Sequence, residues 1–370
     1  MSPSADPPLS IDGAHGEGGG QILRSAVSLS AMTGRAIRIV RIRANRRNPG
    51  MAAQHLTAVR AAAALCKARL SGDALGAREL VFVPTSPVTA GDYVFDVSLA
   101  REGGSAGAVS LVLQTVLLPL AFAAGNSRVV VRGGTHLPQS PPVDYLCGVW
   151  LPILRRMGIY AEITLEAWGW FPVGKGEIHV TIGGTPEARP WPRPLRLLER
   201  GALTRVIGRA VAANLPAHIP QRMSRRAAAL LEPLGVALDI RPECVEAACP
   251  GAGIFLTAEY ESVAAGFSSL GARGIPAETV AEAAAASLLA HHASGAALDR
   301  HLADQVILPL SFSREVSRYS VEIVSRHLET NAWVIAQFGL ATATIERTSS
   351  GTGCVTISPK RAARLMSNFG

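Results

Sequence analysis

Residues 13–34 read GAHGEGGGQILRSAVSLSAMTG and are followed by RAIRIVRIR at residues 35–43. The first stretch is a glycine-rich loop that leads into a helical pattern beginning at Gln21 and ending near Gly34. The second alternates like a strand over Ala36–Arg43 and places four side chains on one face, namely Ile37, Ile39, Arg41 and Arg43.

The same succession of helix, glycine and strand recurs three times later in the chain. It is found as helix 109–124, preceded by the glycine-rich Gly103–Ala108, with Gly125 and strand 128–132; as helix 143–157 with Gly158 and strand 159–165; and as helix 327–338 with Gly339 and strand 341–346. Four occurrences at a loose period favour an α/β protein built from repeated units.

Length and composition limit the class of protein. A chain of 370 residues with 48% hydrophobic and 17% charged residues can bury a large core and is long enough for about two domains at ~150 residues each. The formal net charge of +8 favours polyanionic partners. Lysine occurs only at Lys67, Lys175 and Lys360, so chemistry that needs a lysine nucleophile has few possible positions.

Targeting and cysteine patterns predict a cytoplasmic protein with no membrane span. The five cysteines include no C-x-x-C pair, which disfavours a disulfide framework or a zinc site. Residues 1–10 carry no basic side chain and no apolar core, so they do not resemble a signal peptide. The apolar run 109–124 is shorter than the ~20 residues that a spanning helix needs.

Composition changes at residues 186–200, PEARPWPRPLRLLER, as is typical of a linker or domain entrance. From Ala202 to Ser262 the pattern then predicts strand, helix, strand and strand, a small α/β insert. A long alanine-rich helix follows at 277–293.

Three features are candidates for phosphate chemistry, and each has a plain structural alternative. The loop 16–20 is either a tight turn or an anion cradle at a helix start, where Glu17 would suit a divalent cation that bridges phosphates. The arginines at 41, 43, 46 and 47 are either a solvated strand edge or a phosphate grip. His327 is either an ordinary residue at a helix start or a neutral imidazole nucleophile.

Four stretches together carry a family resemblance. They are GEGGGQILRS at 16–25; RANR at 43–46 with Pro49-Gly50 and QHLTAV at 54–59; GSAG at 104–107 and LVLQT at 111–115, with GGT at 133–135 and Asp144-Tyr145; and LADQVILP at 302–309 with His327 and Thr330-Asn331. In this order and spacing the chain, from about Ile11 to Ser358, resembles the RNA 3′-terminal phosphate cyclases.

The resemblance implies an α/β (α+β) fold with two domains. The large catalytic domain, residues 1–184 and 276–370, would consist of three repeated units, each with a four-stranded sheet and two helices, as in the enolpyruvyl transferases. A smaller α/β domain at 185–275 would be inserted into it.

The resemblance also implies the activity. Such an enzyme, of the ligase class, converts an RNA 3′-phosphate into a 2′,3′-cyclic phosphate during RNA processing. It uses ATP through a histidine–AMP intermediate and an RNA-adenylate anhydride, and it releases AMP and pyrophosphate. The implied cofactors are ATP and Mg²⁺ or Mn²⁺. The implied partner is RNA with a 3′-phosphate end, and a DNA 3′-phosphate end remains open, as does the oligomeric state.

Site residues are carried over position by position. His327 matches the adenylylated histidine, Glu17 a carboxylate near the metal, and Arg43 and Arg46 residues that hold phosphates. The positions that match nucleotide or phosphate binding are Arg24, Gln54, Gln114, His301, Leu302, Ala303, Asp304 and Gln305.

The chain departs from the family pattern at three places. His301 stands where tyrosine is common, His136 follows Gly-Gly-Thr where aspartate is frequent, and 169–176 reads GWFPVGKG where GFYPxGGG is expected. These changes place aromatic or basic groups near the expected phosphate channel.

Two other readings remain open. An enolpyruvyl transferase could share this architecture, but it would give His327 no covalent role. A non-catalytic, cyclase-like protein of ribosome assembly is expected to lack the histidine that is present here. Lysine-dependent ligase chemistry is excluded, because no lysine begins a Lys-x-Asp-Gly motif.

Overall fold

A computed structural model describes residues 7–100, 105–184, 192–349 and 351–360. Several of the sequence features lie partly outside these ranges. They are residues 1–6 of the amino-terminal stretch, Gly103 and Gly104 before the second helix, residues 186–191 of the proline- and arginine-rich segment, and 361–370 of the carboxyl-terminal domain segment.

The first unit is a four-stranded sheet with two helices. Its elements are β1 (Leu9–Asp12), α1 (Gly20–Thr33), β2 (Ile37–Val40), α2 (Ala53–Cys66), β3 (Arg69–Ser71) and β4 (Leu80–Val83). The strand order is β1-β2-β4-β3, in which β1 and β2 run parallel and the other neighbours run antiparallel. Parallel strands need a crossover between them, and α1 provides it.

The second unit repeats this topology. Its elements are β5 (Asp92–Asp96), α3 (Val109–Ala121), β6 (Ser127–Gly133), α4 (Val143–Tyr145), α5 (Leu151–Arg156), β7 (Ala161–Ala167) and β8 (Gly176–Ile182), with a short 3₁₀ helix Val97–Ala100 and a π-helical segment Leu146–Trp150. The strand order is β5-β6-β8-β7, and again only the first two strands are parallel.

A fourth sheet of different topology interrupts the third unit. After β9 (Arg196–Leu197), the chain forms β10 (Leu203–Ala213), α6 (His218–Leu231), β11 (Ala237–Val245), β12 (Gly251–Tyr260), β13 (Ala264–Leu270) and α7 (Ala277–Ser294), with a 3₁₀ turn Glu232–Leu234. The order of this sheet is β11-β10-β12-β13. Residues of β10, β12, β13, α6 and α7 share a hydrophobic core of their own.

The third unit closes around this insertion. Its remaining elements are α8 (Leu302–Gln305), α9 (Ile307–Leu310), β14 (Ser317–Val321), α10 (Arg326–Gln337), β15 (Ala341–Arg347) and β16 (Gly353–Pro359). Strand β9 pairs parallel with β14, although more than a hundred residues separate them, and the order is β9-β14-β16-β15. Three sheets therefore share one topology, which confirms the predicted α/β fold of repeated units.

The domain limits at 185 and 275 stay predictions. The described part of the proline- and arginine-rich segment contains β9, which belongs to the third sheet, and helix α7 packs on the inserted sheet. In the part of the chain that the structure describes, no helix is both long and apolar enough to cross a bilayer.

One local prediction is wrong in a way that matters for the site. The strand predicted over Ala36–Arg43 ends at Val40, and the backbone then turns through left-handed conformations at Arg41 (φ 54°) and Arg43 (φ 51°). Ile42 between them is 1% exposed and lies against Gly13, where a Cβ would come within 2.9 Å of the Ile42 Cα atom. Burial of Ile42 therefore takes the arginines off the strand and into a loop.

Candidate active site

The glycine-rich loop connects β1 to α1 and reaches the first residues of α10. A Cβ on Gly16, which has φ +57°, would lie 2.6 Å from Thr330 Oγ1 of α10. A Cβ on Gly20 would lie 2.0 Å from His55 Nε2 of α2. The glycines are needed because two helices approach the loop too closely for side chains.

His327 is the second residue of α10. Ser325 caps this helix by accepting a hydrogen bond from the Leu328 N–H (3.2 Å). The imidazole side chain is 51% exposed, so one ring edge is free to meet a ligand from solvent.

A chain of hydrogen bonds fixes the proton on the imidazole of His327. Gln21 Nε2 donates to Asp304 Oδ2 (2.5 Å), so its other amide atom, Oε1, has to be an acceptor. The His327 Nδ1 atom lies 2.6 Å from that Oε1 and therefore carries the hydrogen. Nε2, the remaining ring nitrogen, keeps its lone pair and is the ring atom that could act as a nucleophile.

Glu17 lies beside the same imidazole. Its Oε2 atom is 2.6 Å from His327 Nδ1 but without hydrogen-bond geometry, and this oxygen is buried with no hydrogen-bond partner. The Oε1 atom forms an ion pair with Arg46, and the Glu17 N–H donates to Thr330 Oγ1 (3.3 Å). One carboxylate oxygen is thus held in place while the other is left without a donor.

Asn331 ties the three elements of the site together. Its Nδ2 donates to the Asp304 carbonyl of α8 (2.8 Å), and its Oδ1 accepts from Ser25 Oγ of α1 (2.6 Å). Helices α1, α8 and α10 are thereby held in one arrangement around His327.

The electrostatics keep His327 neutral near pH 7. Burial lowers the pKa of His327 from its usual 6.5, and Arg24 and Arg46 lower it further, while Asp304 opposes them. Burial raises the pKa of Asp304 to about 6, and burial lowers the pKa of Arg24 to about 10, so Arg24 stays cationic.

His55 is a buried, neutral histidine on the arginine side of the site. Its Nδ1 accepts a hydrogen bond from the Ala52 N–H (3.2 Å), which leaves the hydrogen on Nε2. Burial lowers its pKa to about 3, helped by Arg24 and Arg43. An N–H donor without a positive charge therefore lies beside Gly20.

Among the described residues, four other predicted binding residues form no hydrogen bond with His327, whose Nδ1 faces Gln21 and Glu17. Arg43 Nη1 donates to the Gly50 carbonyl (2.8 Å), and burial lowers the Arg43 pKa. Gln54 Oε1 accepts from the Ala108 N–H at the start of α3 (3.2 Å). Gln114 Nε2 and Gln305 Oε1 are buried without a hydrogen-bond partner.

His301, Leu302 and Ala303 stand at the start of α8. His301 is exposed and meets the Tyr145 ring edge-on, at 6.4 Å between ring centroids. Leu302 and Ala303 are buried, and the Ala303 carbonyl accepts from the Tyr319 hydroxyl (2.8 Å).

His136 does not line an open phosphate channel, contrary to expectation. It is 1% exposed, stacks on Trp168 (4.4 Å between centroids), and binds Asp144 Oδ2 through Nε2 (2.8 Å). Arg209 of the inserted sheet reaches the other oxygen of Asp144 at 3.5 Å. Burial lowers the pKa of His136, and its ring packs against Phe255 of the inserted sheet, at 4.9 Å between centroids.

Comparison with known proteins places the chain in a family. The family model described as RNA 3′-terminal phosphate cyclase matches residues 15–345. The chain belongs to the RNA 3′-terminal phosphate cyclase family.

Curated relatives of the same name agree over nearly the full length. The cyclase of Methylococcus capsulatus is 58% identical, covering 94% of this chain and 96% of its own. The cyclase of Nostoc punctiforme is 55% identical, covering 90% of this chain and 94% of its own. That of Salmonella enteritidis is 41% identical, over 93% and 97%.

Among solved structures, the enolpyruvyl transferase NikO of Streptomyces tendae matches 48% of this chain and 33% of its own. The identity is 17% and the TM-score 0.25. The fold assignment rests on the shared topology of the three sheets instead.

Sequence reasoning missed Gln21 and His55 as site residues. Each lies within a motif of the family, Gln21 after the glycine run and His55 after Gln54, so the motifs could have indicated both positions. Their roles depend on Asp304 and Arg24, which only the folded chain brings to them.

Proposed function

We propose that this protein converts the 3′-phosphate of an RNA end into a 2′,3′-cyclic phosphate, with His327 as the residue that carries AMP. The family is ATP-dependent. The observation that carries the assignment of His327 is the Asp304–Gln21–His327 chain of hydrogen bonds, because it leaves the Nε2 lone pair free on a neutral, half-exposed ring.

The first step is transfer of AMP to the protein. His327 Nε2 forms a bond to the α-phosphorus of ATP, the bond from that phosphorus to the bridging oxygen breaks, and pyrophosphate leaves. The hydrogen on Nδ1 stays between the ring and Gln21 Oε1. A phosphoramidate then stores the activation until RNA arrives.

The next steps transfer AMP to RNA and close the ring. An oxygen of the RNA 3′-phosphate attacks the AMP phosphorus, the P–N bond to His327 breaks, and a phosphoanhydride forms. The neighbouring 2′-oxygen then attacks the RNA phosphorus, its proton is lost to solvent, and AMP leaves. The anhydride is needed because a phosphate monoester otherwise lacks a good leaving group.

Cationic and neutral donors around the loop would hold the phosphates. Arg24, Arg43 and Arg46 supply charge that offsets the several phosphates meeting at one site. The unpartnered buried polar atoms of Gln114 and Gln305 suit the base or ribose of ATP, which supports the nucleotide positions inferred for 301–305.

Glu17 is proposed to hold a divalent cation, Mg²⁺ or Mn²⁺. No group of three or more metal-binding side chains occurs within the described residues, so most ligands would come from ATP phosphates and water. The unpartnered Oε2 of Glu17 fits this, and a bound cation would supply charge stabilisation for the phosphates.

The partner inferred for this site is the end of a polynucleotide. The location inferred for the protein is the cytoplasm. The chemistry needs only a terminal 3′-phosphate and its neighbouring 2′-hydroxyl. A DNA 3′-phosphate could accept AMP but could not cyclise, because it has no 2′-hydroxyl.

Labelling with α-³²P-ATP tests the proposal. The wild-type protein with Mg²⁺ or Mn²⁺ should acquire an acid-labile, alkali-stable label that passes to RNA-3′-phosphate and is released as AMP. His327→Ala should remain unlabelled, while His179→Ala, which changes an exposed histidine on β8, should label normally. A labelled His327→Ala would overturn the nucleophile assignment, and an unlabelled wild type that binds ATP would favour the non-catalytic reading.

A further inference from the structure

The carboxylate of Asp299 connects three parts of the molecule immediately before the segment 301–305. Asp299 is 1% exposed. Its Oδ1 accepts from the N–H groups of His301 and Leu302, both at 2.9 Å, and from the Tyr145 hydroxyl at 2.8 Å. Its Oδ2 accepts from the Gly266 N–H at 3.3 Å.

These donors come from different units of the fold. Tyr145 is the last residue of α4 in the second unit, and Gly266 lies in β13 of the inserted sheet. His301 and Leu302 begin the segment to which ATP binding was assigned above. One buried carboxylate therefore joins the second unit, the insert and the nucleotide segment.

The charge of Asp299 is held by hydrogen bonds from these four donors. The adjacent Arg300 turns away and binds Glu322 instead, with Nε 3.0 Å from Oε1. A buried carboxylate is costly unless donors surround it, so the donors and the carboxylate constrain one another. The Tyr145 hydroxyl and the Gly266 N–H fix the position of the Asp299 carboxylate, which in turn accepts from the backbone of 301–302.

The contact between Tyr145 and the insert is also close. A Cβ on Gly266 would lie 2.4 Å from Tyr145 Cδ2, so the ring packs directly on the β13 backbone. The same ring meets His301 edge-on. The Tyr145 side chain thus contacts the insert on one side and the nucleotide segment on the other.

We propose that Tyr145 and Asp299 are positioning residues for ATP. Through their hydrogen bonds, the packing of the inserted sheet against the second unit fixes the backbone geometry of segment 301–305. This inference rests on the proposed function, since it takes that segment as the nucleotide site. It assigns neither residue a contact with the reacting atoms. Its consequence is that changes at this junction alter ATP affinity before they alter chemistry.

Tyr145→Phe removes only the hydroxyl and keeps both ring contacts. The ATP concentration for half-maximal self-adenylylation, and the ATP dissociation constant measured by equilibrium dialysis, should rise roughly three- to tenfold, the range that loss of one ordinary hydrogen bond predicts. The maximal labelling rate and the RNA concentration for half-maximal chase should stay at wild-type values. Tyr93→Phe is the matched control, because its hydroxyl bonds the Thr89 carbonyl (2.7 Å) away from this junction.

Asp299→Asn tests the hydrogen bond between Asp299 Oδ2 and the Gly266 N–H of the insert. Its carbonyl oxygen can keep the three donors at Oδ1, but its amide nitrogen cannot accept from the Gly266 N–H. ATP affinity should again fall, and an unchanged affinity would refute the link to the insert.

The outcomes separate the two proposals. A wild type that neither binds ATP nor takes the label would remove the proposed function and this inference together. A wild type that labels normally, with Tyr145→Phe equal to it in ATP affinity, would overturn only the positioning role. Thermal unfolding of each variant checks that it is folded.

Discussion

At the scale of single residues, the site is defined by which atom carries each proton. Asp304 orients Gln21, Gln21 orients His327, and the result is a free Nε2 on a neutral ring. Neutrality has two physical causes here, burial of the imidazole and the nearby charges of Arg24 and Arg46. With the hydrogen on Nε2 instead, the lone pair would lie on Nδ1, which faces Gln21 and not the solvent-exposed edge of the ring.

The pH dependence of self-adenylylation should report Asp304. Its pKa is raised to about 6, so the carboxylate that anchors Gln21 is protonated as pH falls through that value, while the pKa of His327 is lowered by burial from its usual 6.5. The labelling rate at saturating ATP should therefore rise between about pH 5 and 7 and then level off.

Asp304→Asn should shift that rise to lower pH, because only His327 then titrates. The control is Glu329→Gln, a change in the first turn of α10, the helix that carries His327. It should keep the wild-type profile. Identical rising limbs in wild type and Asp304→Asn would contradict the anchoring role.

Removal of the Glu17 carboxylate should change the metal requirement. Glu17→Gln keeps the shape of the side chain but leaves a poorer metal ligand, so the Mg²⁺ or Mn²⁺ concentration for half-maximal labelling should increase. A metal titration with and without saturating ATP measures it. An unchanged requirement would exclude Glu17 from the cation site.

At the scale of elements, the site depends on how closely helices approach the glycine-rich loop. Gly16 lies against Thr330 of α10, and Gly20 lies against His55 of α2. The loop that follows β2 is held by burial of Ile42 and by the backbone hydrogen bonds of Ile42 with Arg78 and Gly50. Short elements packed at van der Waals distance therefore set the positions of Glu17, Arg43 and Arg46.

Gly20→Ala should destabilise the protein, because its Cβ would lie 2.0 Å from His55 Nε2 and 3.1 Å from Arg24 Nη1. Overpacking of this kind costs about 1–3 kcal/mol of unfolding free energy, which urea denaturation measures. Gly91→Ala is the control, since its Cβ would meet only Tyr93 Cε2 at 3.8 Å.

A second change separates the clash from other effects of Gly20→Ala. Combining it with His55→Ala opens the space that the new methyl group needs. The double variant should lose less stability than the sum of the single variants. Strict additivity would show that the His55 ring is not what excludes a side chain at position 20.

At the scale of the whole molecule, the site joins the two ends of the chain. The glycine-rich loop belongs to the first unit, and α8 and α10 belong to the third, 306 residues away at the Gln21–His327 contact. The inserted sheet touches this assembly through Asp299 and through the Asp144–Arg209 contact. Because β9 precedes the insertion and pairs with β14, which follows it, the chain enters and leaves the insertion next to the same sheet.

Arg209→Met should loosen the insert from the second unit. Arg209 pairs with Glu243 (2.6 Å) and also reaches Asp144 across the junction, so its loss removes a contact between the two parts. Hydrogen exchange at residues 168–170 should become faster. The matched control is Arg205→Met, because Arg205 pairs with Glu259 inside the inserted sheet.

Equal exchange rates in the Arg209→Met and Arg205→Met variants would contradict the claim that Arg209 holds the insert against the second unit. The expected loss of global stability is small, about 0–1 kcal/mol, because both ion pairs are partly exposed. Hydrogen exchange is therefore the more sensitive measurement.

The amino-acid pattern alone was enough to predict the parts of the site that depend on residues close together in the chain. Glycine spacing predicted the loop at 16–20, and the residues after His327 predicted that it stands at the start of a helix. Recurring helix–glycine–strand segments predicted the repeated α/β units. Each of these signals involves residues a few positions apart, whose backbone preferences act before any long-range contact forms.

Which side chains of the site interact with one another became visible only in the folded chain. Asp304 and Gln21 meet across 283 residues, and that contact selects the imidazole nitrogen that is free. Burial of Ile42 ended a predicted strand, and the ring stack with Trp168 buried a histidine expected at a phosphate channel. Burial and long-range pairing are properties of the packed chain, and they set protonation states that no local pattern encodes.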